Sequence, residues 1–132
     1  MPDYLPLRLQ PGTDLRAALE QAAGTHGAGF VVSGIGSLAD AQLRYADAPD
    51  QVCLPGPWEV LSIAGTITPD GAHLHMSVSN GDGRVVGGHV GYGNVVRTTM
   101  EVLLVLMPAW SLGREHDAAT GFKELVVRLR GA

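Results

Sequence analysis

His73 and His75 flank a single leucine in Asp70-Gly71-Ala72-His73-Leu74-His75, and His89 follows in Val85-Val86-Gly87-Gly88-His89. Successive side chains of a β-strand point to opposite faces, so histidines two positions apart share a face, about 6.5 Å apart along the chain. Their imidazoles can lean onto one ion. A third histidine from a neighbouring strand completes the three protein ligands of an open metal site, whose fourth position is left to water or a substrate. Imidazole nitrogen suits zinc, nickel, copper and iron alike, which leaves the ion's identity open on the residues alone. A carboxylate such as Glu101 is a candidate for the fourth position.

The strands that must carry these residues are visible as alternation. Leu61, Ile63 and Ile67 occupy odd positions, with Ser62, Thr66 and Thr68 between them. Leu74, Met76 and Val78 occupy even positions, with His73, His75, Ser77 and Ser79 between them. Both apolar sets reach one face only if paired positions sum to an odd number. A two-residue Asp70-Gly71 turn meets that condition, and Asp-Gly is a favoured type I′ pair. The histidines then lie on the polar face beside Thr66 and Thr68. A five-residue loop through Arg84 sets His75 opposite His89, whereas a four-residue loop turns His89 to the other face. The metal reading therefore demands one particular loop length.

Around this hairpin the remaining elements follow in order. Residues 4–9 read as a strand. Thr13 is expected to cap a helix in which Leu15, Ala18, Leu19 and Ala22 recur at helical spacing, ending near Gly24 or Gly27. Residues 30–35 form a buried strand that continues irregularly through 41–45, and residues 47–57 a proline-rich connection. Residues 95–107 make a long strand ended by Pro108, and residues 125–129 a final strand. The expected class is α+β: a mostly antiparallel β-sheet sandwich with one main N-terminal helix, in a single domain over residues 1–132.

Composition narrows the function classes. Of 132 residues 45% are hydrophobic but only 5% aromatic, so the core must be aliphatic. The net charge of −4 and the lack of any basic run argue against a stand-alone nucleic-acid binder. Cys53 is the sole cysteine, which excludes an intramolecular disulfide and suits a reducing, cytoplasmic compartment. Met1-Pro2-Asp3 opens no signal-peptide pattern, and the apolar run 102–107 falls far short of the roughly 20 residues that span a bilayer.

Other candidates carry competing readings. Glu59 sits on an odd position with the apolar set of its strand, so it is either at a solvated strand end or buried with Arg97 or Arg44 as partner. There it would form an ion pair or serve as a general acid or base. Gly34-Ile35-Gly36-Ser37-Leu38-Ala39 matches a dinucleotide fingerprint, yet no βαβ alternation follows, and a bend or bulge is the expectation. Residues 81–91 are glycine-rich without the Lys-Ser/Thr of a P-loop; Gly87-Gly88 is expected to permit close backbone approach. Cys53 reads as an inert thiol, His26 as a helix-end residue and His116 as part of a polar loop.

In combination, these residues resemble a known family. Gly56-Pro57-Trp58-Glu59-Val60-Leu61-Ser62-Ile63-Ala64-Gly65 is similar to the signature of the plant-and-prokaryote conserved (PPC) domain. His73-Leu74-His75, the segment 81–89 and Thr99-Met100-Glu101-Val102 resemble its bacterial single-domain branch, as do Gly34-Ile35-Gly36-Ser37-Leu38 and Leu43-Arg44-Tyr45. The resemblance implies a homotrimer in which His73, His75 and His89 hold a divalent metal, zinc. Plant members bind DNA through a separate Arg-Gly-Arg-Pro AT-hook; this chain has none, and Arg128-Leu129-Arg130-Gly131 is no substitute. A more distant likeness of fold and ligand order is to acetolactate decarboxylase. The leading expectation is a binding or regulatory module whose trimer clefts accept a small molecule or a protein segment. The second is a metal-dependent enzyme acting on a small carbonyl or carboxylate compound, with Glu59 or Glu101 moving a proton. A DNA-associated regulator rests on plant analogy alone.

Overall fold

Aliphatic side chains at every second position favour extended backbone, and most of this chain adopts it. The computed structural model describes residues 2–24 and 28–131, so His26 lies outside the described residues. The elements run β1 (Asp3–Leu9), α1 (Leu15–Ala23), β2 (Gly29–Arg44), β3 (Val52–Thr68), β4 (Gly71–Ser79), β5 (Val85–Val90), β6 (Val96–Leu106), β7 (Trp110–His116) and β8 (Lys123–Leu129). Strands β1-β6-β2-β3-β4-β5 form one sheet in that order, and β7 and β8 a separate two-stranded ribbon. Every pairing is antiparallel. The fold is α+β, as its alternation indicates. No helix among the described residues is long and apolar enough to cross a membrane.

The sheet curls because β5 pairs with β4 and also with the end of β2, through Leu43↔Val90 and Arg44↔His89. Leu74, Met76 and Val78 of β4 point inward against Leu43, Val60 and Ile63. Helix α1 completes this core with Leu15, Leu19 and Ala23, spaced four residues apart along one face. Asp14, not Thr13, caps the helix. Its Oδ1 accepts from Ala17 N at 3.0 Å while Oδ2 accepts from Gly93 N at 2.6 Å. Thr13 is instead engaged through its carbonyl, which accepts from Val96 N. The helix ends at Gly24, whose N–H bonds to the Glu20 carbonyl.

Three departures from the sequence expectation share a cause in local backbone geometry. First, the β3–β4 register shifts between Val60 and Ser62, an extra residue that leaves Leu61 48% exposed and reverses the parity of everything before it. Glu59 therefore points outward, not with the apolar set. Second, Thr68 pairs with Gly71, so the hairpin turns at Pro69-Asp70 instead of Asp70-Gly71. Proline at the second position and glycine at the fourth suit a type I turn, and the Thr68 hydroxyl accepts from Asp70 N at 3.1 Å. Third, the segment read as a connection is strand from Val52 onward, and His116 ends β7 instead of lying in a loop. The glycine-rich segment 34–39 is strand with register shifts on both sides of Leu38, as a bulge requires.

One buried polar group holds the corner where β5 leaves the histidine sheet. Asn94 is fully buried; its Oδ1 accepts from Gln42 N at 2.8 Å, and its Nδ2 donates to the carbonyls of Gln42 and Gly91 at 2.9 and 2.8 Å. The two bonds to Gln42 join β2 to the turn after β5, and the bond to Gly91 closes that turn on itself.

Candidate metal centre

His73 and His75 lie on the outer face of β4, and His75 pairs directly with His89 of β5. That register follows from the loop 80–84. Asn80 Oδ1 accepts from Asp82 N at 3.0 Å and from Arg84 N at 2.9 Å, which fixes five residues between Ser79 and Val85. Close approach of strands then requires glycine. A Cβ on Gly87 would lie 2.7 Å from the Met76 carbonyl oxygen, and one on Gly88 2.8 Å from that of Arg44.

The three rings converge. Their centroids are separated by 5.0 Å (His73–His75), 4.6 Å (His75–His89) and 5.7 Å (His73–His89). One ligand nitrogen from each lies within 4.8 Å of the others. Zinc–nitrogen bonds of about 2.0–2.1 Å need nitrogens roughly 3.4 Å apart, so closure on an ion moves each ring inward by less than about 1 Å. The donor set fits the group.

Neighbouring residues aim the rings. His89 Nδ1 lies 3.0 Å from the Arg44 carbonyl oxygen, which can only accept, so Nδ1 carries the proton and Nε2 keeps its lone pair for a ligand bond. Arg16 of α1 braces both strands one residue beyond the histidines, donating to the carbonyls of Val90 at 3.1 Å and Ala72 at 3.0 Å. Its guanidinium lies 4.4 Å from the centre of the Tyr92 ring. Glu20, one turn along the helix, accepts from Ala72 N at 2.9 Å.

Electrostatics favour the ligand form. Both His73 and His75 are held below the ordinary imidazole value of 6.5. For His73 burial is the main cause, followed by the Arg114 charge and the two other imidazoles, with Glu124 opposing them. For His75, which stays exposed, partial desolvation by its neighbours again leads, followed by His89 and Arg44. The unfolded chain takes up protons from about pH 6.5 downward while the folded rings resist, so the unfolded state binds more protons and stability falls with pH in that window. Urea melts of chelator-treated protein are expected to show a lower midpoint at about pH 5.5 than at about pH 7.5, a difference that shrinks in the His73→Gln/His75→Gln variant. Equal midpoints in the parent protein would contradict the shifts.

Beside the rings opens a cleft of about 490 Å³ bordered by His73, His89, Arg44, Arg114 and Glu124. Its far wall is the β7–β8 ribbon, pinned to the β3–β4 turn by Arg114 N donating to Asp70 Oδ2 at 2.9 Å. Arg114 Nη2 also donates to Thr66 Oγ1 at 2.6 Å, which covers a threonine on the histidine face. Sequence reasoning missed Arg114 and Glu124. Their only trace was the turn-rich segment 117–121 between two short runs, which marks a hairpin but not where it docks.

Glu59 and Glu101 lie elsewhere. Glu59 pairs with Ser37 and Ser79, at the opposite end of the β3–β4 hairpin from its turn, and among the described residues it forms no ion pair with Arg97 or Arg44. Glu101 lies on β6 between Arg8 and Ile35, on strands separated from β4 by β2 and β3.

A single-helix antiparallel β domain with three histidines gathered on the outer face of two paired strands defines the class to which this chain belongs. Residues 3–107 match the Plants and Prokaryotes Conserved (PCC) domain, and the chain is a member of that family. The bifunctional protein GlmU of Synechococcus sp. (strain JA-3-3Ab) is 43% identical over 122 residues, which cover 91% of this chain but 20% of that longer protein. A solved structure of a hypothetical protein from Salmonella cholerae-suis superposes with a TM-score of 0.93 at 35% identity, covering 98% of this chain and 96% of that one. A metal-containing protein from Archaeoglobus fulgidus superposes with a TM-score of 0.74 at 28% identity, covering 94% of this chain and 93% of that one.

Proposed function

We propose that this protein is a homotrimeric, cytoplasmic binding or regulatory module in which His73, His75 and His89 hold one divalent ion, zinc, and present it to a small molecule or protein segment in the adjoining cleft. The observation that carries the reading is the convergence of three ligand nitrogens within 4.8 Å at the edge of that cleft. The metal-containing relative supports it. When bound, the ion supplies a Lewis acid for an oxygen of the guest. The chain's own residues do the rest: the Arg44 carbonyl sets the His89 tautomer, and Arg16 keeps β4 and β5 at a fixed separation.

Self-association is supported by exposed apolar side chains on the other half of the sheet, where Ile35 is 51% exposed and Val32, Phe30 and Tyr4 are exposed as well. Native mass spectrometry of protein purified without a histidine tag is expected to give three times the 13.8 kDa chain mass, with one ion per chain. Ile35→Glu places a second carboxylate opposite Glu101 and should yield single chains that keep their ion. A parent protein that is a single chain without metal overturns the proposal.

A second reading is a metal-dependent enzyme acting on small carbonyl or carboxylate compounds. Glu124 favours it, since it borders the cleft close enough to His73 for its charge to oppose the lowering of that ring's proton affinity. On that reading Glu124, not Glu59 or Glu101, holds the proton that moves.

A further inference from the structure

The cleft beside the histidines has an unusual charge arrangement. Arg44, Arg114 and Lys123 all border it, against the carboxylates of Asp47 and Glu124. Among the described residues the ion pairs are Arg16–Glu20 and Arg128–Glu115, so none of these three cations is neutralised by a carboxylate within bonding distance. Two of them are positioned, half-buried side chains. Arg114 is anchored by its bond to Thr66, and Arg44 Nη1 donates to the Ala48 carbonyl at 3.1 Å. At the same cleft stands Phe122, whose side chain is 69% exposed. A volume of about 490 Å³ exceeds what an inorganic ion needs and falls in the range of small-molecule sites. Arg114 and Lys123 come from β7 and β8 and Phe122 from the connection between them, all beyond the residues matched by the family domain.

We propose that this cleft binds a short-chain organic carboxylate, its charge held by Arg114 with Arg44 and Lys123 and its carbon chain covered by Phe122. Guanidinium pairs with a carboxylate through two parallel N–H···O bonds, and an anchored guanidinium loses little freedom in doing so. The aromatic ring distinguishes an organic anion from inorganic phosphate, which has no apolar surface to cover. The ribbon thus sets what the histidine centre is offered. This assignment rests on the function proposed above only in placing the anion next to a metal; the cationic cleft stands independently of it.

The test is calorimetric titration of the tag-free protein with malonate, and separately with inorganic phosphate, alongside elemental analysis of the same samples. Malonate is expected to bind more tightly than phosphate. Arg114→Gln should weaken malonate binding by about tenfold or more without changing metal content. Arg128→Gln, which removes a ribbon cation already paired with Glu115, should leave it unchanged. An ion-bearing protein that ignores malonate, binds it equally well as Arg114→Gln, or prefers phosphate overturns the carboxylate assignment alone. Arg114-dependent malonate binding in a chain that holds no ion overturns the metal centre alone and sustains the cleft.

Discussion

His75→Ala is expected to abolish metal retention while leaving the fold intact. The side chain is exposed on the outer face of β4, so its removal opens no cavity, and its backbone pairing with Ala64 and His89 is unaffected. What disappears is one of the three candidate ligand nitrogens. Loss of a supporting residue around a metal site typically costs 10–100-fold in affinity, and loss of a direct ligand should exceed about 100-fold. Elemental analysis of protein purified without a histidine tag should therefore fall from about one ion per chain to a small residue of that. Circular dichroism of the two proteins should superimpose. His116→Ala, at the end of β7, serves as the comparison that loses a histidine without loss of metal. Equal metal content in parent and His75→Ala would sink the centre.

Asn94→Ala should produce the largest loss of stability of any single polar substitution described above. It strips the Asn94 bonds from the Gln42 N–H and the Gly91 carbonyl at once, while the Gln42 carbonyl keeps the bond from Gly91 N. Each part-buried group left unsatisfied costs roughly 1–3 kcal/mol, so the sum is about 2–4 kcal/mol after allowing for partial access of water. Against a total of about 5–15 kcal/mol for a domain, that is a large fraction. A drop in melting temperature of about 10 °C or more is expected by scanning calorimetry. Because Asn94 also stitches β2 to the exit of β5, local opening there should loosen His89 before global unfolding, visible as faster amide exchange at Val90 and Gly91. A melting temperature within about 2 °C of the parent would show that the turn after β5 supports itself.

The histidine hairpin was legible in the residues because two of its determinants are local. Alternation fixes the face of His73 and His75, and the turn residues 80–84 mark where the loop lies, while the choice between four and five residues waits on the Asn80 bonds that the structure shows. The bulge at Leu61 was not legible. An added residue leaves no mark in composition when the residue that faces water is itself apolar, and it reversed the expected orientation of Glu59. The first half of β3 was hidden by Pro55 and Pro57, residues that normally argue against a paired strand. Pro55 nevertheless stands opposite Asp40 in the β2–β3 ladder. The far wall of the cleft was hidden for a different reason. Arg114 and Glu124 reach His73 only through docking of a ribbon onto the β3–β4 hairpin, through bonds from Arg114 to the Asp70 carboxylate and the Thr66 hydroxyl. No periodicity encodes such a contact.

The five-residue connection between β4 and β5 carries an arithmetic consequence for how this domain can vary. Its tip is exposed, and the identities of Gly81 and Asp82 could drift freely provided Asn80 keeps its two acceptor bonds. Its count could not. Gaining or losing one residue there rotates every later side chain of β5 by half a turn, which carries Val90 out of the interior as it carries His89 in. Natural insertions at this tip should therefore arrive in even numbers, or be accompanied by a compensating bulge further along β5.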